Sequence, residues 1–151
     1  MEKILMNSIY MATKIASEAF GGKTDRAGKP YIDHLERVAS KVPTWGAKCV
    51  AWLHDLLEDT DWTIEDLRNH LYGGQPAFSN EILEAIEAIT HKEGQSYEDY
   101  IEQVAQNPLA TMVKLEDLRD NMDITRLPRL TDRDIERLKK YHKAYLRLTN
   151  E

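Results

Sequence analysis

Four residues in one short stretch bring together the donors of a metal site and the carboxylates of proton transfer. In AWLHDLLEDT, residues 51–60, His54 and Asp55 are adjacent and Glu58 and Asp59 follow one turn later. On a straight helix, with His54 at zero, Glu58 falls at about 40°, Asp55 at about 100° and Asp59 at about 140°, so all four share one arc. An exposed helix face usually mixes Lys or Arg with its acids at i,i+4 spacing, but the only cation near this arc is Lys48, at its edge. Three carboxylates and an imidazole repel one another unless positive charge stands in front of them, and a divalent cation would supply it.

Two residues do not make a site, so other segments must contribute. PYIDHLERVA offers His34 beside an apolar stripe of Ile32, Leu35 and Val38. ATMVKLEDLRDNMD offers Asp117, flanked by Val113, Leu115 and Leu118, with Asn121 one turn later on the same face. Each alone reads more readily as a satisfied core residue than as a ligand. In order along the chain they give His, His-Asp, Asp.

The elements that must position these groups are helices. Apolar residues recur at helical spacing from end to end, and no alternating strand of useful length appears. Boundaries come from turn and cap chemistry. Gly21-Gly22 ends a helix over about 2–20, and Pro30 opens PYIDHLERVASK, which Pro43 closes. Thr44 caps TWGAKCVAWLHDLLED, and Thr63 with Asp66 forms a variant capping box before TIEDLRNHLY, which Gly73-Gly74 breaks. Ser79, Ser96, Asn107 and Thr131 cap helices near 80–91, 97–106, 108–122 and 132–149. The expectation is an all-α bundle of about eight helices, with residues 1–151 forming a single domain.

Composition bounds the partners. With 42% apolar and 30% charged residues the chain reads as an ordinary soluble globule. A net charge of −6 argues against nucleic acid or anionic lipid held by bulk electrostatics. One cysteine, Cys49, excludes an intramolecular disulfide, and no signal peptide or membrane span is apparent, so the cytoplasm is the expected compartment. The last helix carries Ile135, Leu138, Tyr141, Tyr145 and Leu148 on one side and could pack on the core or form a homodimer contact.

The blocks GKPYIDHLERVA, WLHDLLEDTDWTIEDL and VKLEDLRDN resemble the three motif blocks of the HD-domain phosphohydrolases of the RelA/SpoT type, and the likeness runs over about residues 5–148. The resemblance implies that His34, His54, Asp55 and Asp117 ligate one divalent metal, commonly Mn²⁺, with Fe, Zn and Co also compatible with the donors. It implies that Glu58 and Asp59 orient or deprotonate the attacking water, that Asn121 faces the nucleotide, and that Arg26 and Lys29 contact the substrate. The implied reaction is removal of the 3′-pyrophosphate from guanosine tetra- or pentaphosphate. Asp25 stands where the family carries an arginine packed on the guanine base, which predicts an altered base pocket. The alternatives are an HD phosphatase acting on NADPH or a nucleoside monophosphate, and a catalytically silent nucleotide-binding module. His91-Lys92, Tyr97 and Tyr100 read either as a pocket wall or as a surface turn followed by core aromatics.

Overall fold

A computed structural model describes residues 2–150. Its helices, in chain order, are α1 (Glu2–Phe20), α2 (Tyr31–Ser40), α3 (Trp45–Leu53), α4 (Leu56–Asp59), α5 (Ile64–Arg68), α6 (Asn80–Ala88), α7 (Tyr97–Ala105), α8 (Pro108–Asn121) and α9 (Asp132–Asn150). The architecture is all-α. Among the described residues, no helix is long and apolar enough to cross a membrane.

The caps are those the sequence predicts. Thr44, Ser79, Ser96 and Asn107 each accept a backbone N–H from three residues on, and Thr63 with Asp66 forms a reciprocal capping box. Thr131 caps α9 in the same way, its Oγ1 accepting from Asp134 N while the Asp134 carboxylate accepts from Thr131 N. Each such cap contributes about 1 kcal/mol.

Two departures matter. The helix predicted over 44–59 is broken: α3 stops at Leu53, α4 begins at Leu56, and His54 and Asp55 form a turn between them. Asp55 has φ −103° and ψ 0°. This is the sparsely populated bridge conformation that active-site residues often adopt. The helix predicted to run to Tyr72 ends at Arg68. Leu71–Tyr72 (β1) instead pairs antiparallel with Gln75–Pro76 (β2). Gly73 and Gly74 have φ of 61° and 81°. They are the pair of left-handed residues that a tight two-residue hairpin demands.

Helix α3 is the centre of the molecule, packing on α1, α2, α6 and α8. Apart from Lys48 it is apolar all round, so it can be covered on every side, and Val50, Ala51 and Leu53 are fully buried. Leu35, Val38, Leu56, Ile86 and Leu118 close the core around it. Truncating one such leucine to alanine costs about 2–5 kcal/mol. This packing fixes the ends of α2, α3 and α8 against one another, and the candidate site lies there.

Candidate functional site

His34 on α2, His54 at the break after α3 and Asp117 on α8 converge, each with a donor atom within 4.8 Å of the others and all three buried. The two imidazoles are turned to one point by what holds their far nitrogens. His54 donates from Nδ1 to Ala51 O at 2.6 Å, and His34 shares a 2.6 Å hydrogen bond from Nδ1 to Asp120. Both Nε2 atoms therefore face Asp117 Oδ1, at 3.0 Å from His34 and 3.2 Å from His54. Asp55 completes the ring, its Oδ2 lying 3.2 Å from His54 Nε2 and 3.9 Å from His34 Nε2.

These separations suit a common metal ligand set. Donors bound to one divalent ion at about 2.0–2.2 Å lie about 2.8–3.1 Å apart when adjacent in an octahedron and about 4.0–4.4 Å apart when opposite. The three short edges, 3.0, 3.2 and 3.2 Å, lie at or just above the adjacent spacing, and the His34–Asp55 distance of 3.9 Å approaches an opposite pair. The fixed Nδ1 partners are the outer-shell contacts that histidine ligands typically have.

The surrounding charges are balanced. Lys114, one turn before Asp117, donates to Asp117 Oδ2 at 2.9 Å, and Asn121 donates to Oδ1 at 3.1 Å. Burial by itself would neutralise Asp117, but the Lys114 ammonium and the two imidazoles hold its carboxyl well below the usual range. Burial likewise opposes a charge on His34, yet its hydrogen bonds to Asp117 and Asp120 raise its pKa to about 9. His54 is raised by Asp55 and Asp117 against its burial, and Asp55 is lowered by His54 against its own. Tyr31 donates its hydroxyl to Asp55, fixing that carboxylate from the α2 side.

Glu58 and Asp59 are also near but differently placed. Both are exposed on α4. Glu58 Oε1 accepts from His91 N at 2.6 Å, and no partner is seen for Oε2 among the described residues. Partial burial and the neighbouring Asp55 charge raise the pKa of both carboxyls.

A cavity of about 330 Å³ adjoins the cluster, its wall including Tyr31, His34, Arg37 and Asn121. Of the residues implied by the resemblance to contact substrate, Asn121 and Arg26 line it, while Lys29 is exposed and does not. Asp25 spends Oδ1 on the backbone N–H groups of Ala27 and Lys29, both at 2.9 Å, which folds its loop. Arg26 pairs with Asp134 on α9.

Sequence reasoning misses Asp120, Arg37 and Arg126. Asp120 is buried, receives Arg37 Nε and NH2 at 2.7 and 3.0 Å, and lies 3.3 Å from Arg126 NH2. The i,i+3 spacing of Lys114, Asp117 and Asp120 was the available signal, since three charges on one side of a helix otherwise rich in Val and Leu need partners. Tyr100 is a core aromatic, its hydroxyl donating to Ile89 O at 2.5 Å and its ring stacked on His91. Cys49 is fully buried, and burial pushes its thiol up to about 12, far from thiolate chemistry at neutral pH.

No protein-family model matches the chain. It is 32% identical to guanosine-3′,5′-bis(diphosphate) 3′-pyrophosphohydrolase of Aquifex aeolicus (strain VF5), over 81% of this chain and 19% of that protein. It is 26% identical to a probable GTP pyrophosphokinase of Mycobacterium leprae (strain TN), over 80% of this chain and 16% of the relative. The chain thus spans less than a fifth of the length of these curated relatives. A solved structure of a metazoan ortholog of SpoT, which hydrolyzes ppGpp and plays a role in starvation responses, has the same fold. The TM-score is 0.71 at 20% identity, over 93% of this chain and 84% of that one.

Proposed function

Because the chain is homologous to the RelA/SpoT-type hydrolases and carries their HD-type helical fold, we propose that it is a metal-dependent phosphohydrolase acting on a nucleotide. The reaction assigned to it is removal of the 3′-pyrophosphate from guanosine tetra- or pentaphosphate. The observation that carries this reading is the convergence of His34 and His54 Nε2 on Asp117 Oδ1 at 3.0 and 3.2 Å, with each Nδ1 held from behind.

In this reading His34, His54, Asp55 and Asp117 hold one divalent cation, taken as Mn²⁺. When bound, it would lower the pKa of a water and polarise a phosphoryl oxygen. The protein's own groups do the remaining work. Glu58, anchored through Oε1 to His91 N, keeps Oε2 to accept the proton of the attacking water. Its raised pKa, from partial burial and the Asp55 charge, makes the carboxylate a stronger base. Asp59 orients the same water from the next position. Asn121, held by Asp117, faces the substrate, and Arg26 reaches it from the loop lining the cavity, whereas Lys29, outside the cavity wall, is given no such contact. A reducing compartment, the cytoplasm, suits the lone buried Cys49.

The test is pyrophosphate release from guanosine tetraphosphate by the purified chain with added Mn²⁺, with Asp55→Ala as the blank. Release that disappears in the variant together with bound metal is the expected result. A folded, metal-loaded chain that releases nothing would refute the alarmone assignment, and turnover of NADPH and nucleoside monophosphates would then be measured.

A further inference from the structure

The cavity beside the cluster is lined by Tyr31, Asn121 and the candidate metal ligand His34, and also by Arg37, Arg126 and Leu127. At about 330 Å³ it is at the small end of ligand sites, a size suited to one nucleoside.

The guanidiniums of Arg37 and Arg126 are held in an unusual way. One buried carboxylate, Asp120, takes two N–H groups of Arg37 and lies 3.3 Å from Arg126 NH2. Arg126 is tied further by NH1 to Asp123 and by NH2 to the Asp120 carbonyl, both at 3.0 Å. These contacts lie along the guanidinium edges, so they fix the planes while leaving the flat faces uncovered by them. Both side chains remain about a third exposed, at 30% and 32%.

The loop offers no comparable surface. Asp25 is spent on the loop's own backbone, and Arg26 is engaged by Asp134. The three arginines of the wall, Arg26, Arg37 and Arg126, are matched in number by Asp25, Asp120 and Asp123, with His34 standing at the candidate metal site besides. A phosphate would need uncompensated positive charge and free guanidinium edges. A planar, uncharged ring needs rigid flat faces with their edge hydrogen bonds already satisfied.

We infer that Arg37 and Arg126, locked by Asp120, are specificity-determining residues whose guanidinium faces pack on the base of the nucleotide. The cation–ring contact then comes from α2 and the turn that follows α8 rather than from the loop. This rests on the phosphohydrolase reading only for placing the scissile phosphate beside the candidate metal ligands.

The experiment measures binding of two probes separately, with Mn²⁺ present: guanosine, which has a base and no phosphate, and inorganic pyrophosphate. The wild-type chain, Arg126→Ala and Arg126→Lys are compared. Both variants are expected to weaken guanosine binding by about five- to tenfold and to leave pyrophosphate binding within about twofold. Lysine keeps the charge and the fold but lacks the plane. If pyrophosphate binding weakens in the alanine variant and returns with lysine, the pair is a phosphate clamp and the inference is wrong. Unchanged binding of both probes would also overturn it, leaving Arg126 as a brace for Asp120. A wild type that binds guanosine in the expected pattern yet does not hydrolyse guanosine tetraphosphate would sink the proposed reaction and support the base contact.

Discussion

The two acidic groups next to the break after α3 are built from the same residue types and serve opposite ends. Around Asp117 the charges are answered and mostly buried: Lys114 and Asn121 hold the carboxylate, and Asp120 holds His34 from behind. On α4, only four residues further along from His54-Asp55, Glu58 and Asp59 are exposed, and among the described residues Glu58 has one oxygen engaged. The first arrangement removes freedom and keeps its carboxylates ionised. The second leaves an oxygen free and raises its carboxyls. Rigid, paired carboxylates suit the holding of a cation, and a half-free, more basic one suits the movement of a proton.

The contrast can be broken most severely at Asp117. Asp117→Ala strands the buried Lys114 ammonium and removes the shared ligand, so bound metal and turnover should both vanish. Stability should fall by about 3–5 kcal/mol. Metal analysis and urea unfolding read both, and an Asp117→Ala chain that purified with stoichiometric metal would dissolve the distinction. Glu58→Gln should do the reverse, keeping metal and fold while lowering turnover by about 10²–10⁴-fold. Loss of metal in that variant would move Glu58 into the ligand set.

Asp120→Asn sharpens the comparison by loosening the brace rather than the ligand. Metal affinity is expected to drop by about 10–100-fold, and high metal concentration should restore turnover at saturating nucleotide but not nucleotide affinity, since Asp120 also holds Arg37 and Arg126. The smallest effect is that of pH. His34 titrates at about 9 in the absence of a cation, above its usual 6.5, so the stability its proton provides is complete below pH 6.5 and is lost as the pH rises through 9. A metal must displace that proton. Unfolding of the metal-free chain should therefore become easier from pH 7 to 9, while metal affinity rises by up to about tenfold per pH unit. Proton release on adding Mn²⁺ in weak buffer, followed by a pH indicator, checks the sign.

Much of the helix plan could be read in the sequence because it rests on short-range chemistry. Thr44, Thr63, Ser79, Ser96, Asn107 and Thr131 all cap where their spacing to the next apolar run predicts. The convergence of His34, His54 and Asp117 was legible in part, since each stands among apolar neighbours where a polar group needs a reason. The break at His54-Asp55 was not, because it depends on Tyr31 and on the imidazoles of two helices rather than on any local helix breaker. Nor was the hairpin: Gly73-Gly74 signals a stop, and only the return of Ala77 N to His70 O shows that the chain doubles back.

For anyone transplanting such a site, the interruption between α3 and α4 is part of the specification. On an unbroken helix neighbouring side chains diverge by about 100°, and a His-Asp pair grafted there would aim its two donors at different neighbours. Here the relaxed turn at Asp55 lets consecutive residues share one target. A design that copied the dipeptide onto a perfect helix, chosen for its regularity, would reproduce the letters and lose the ligand.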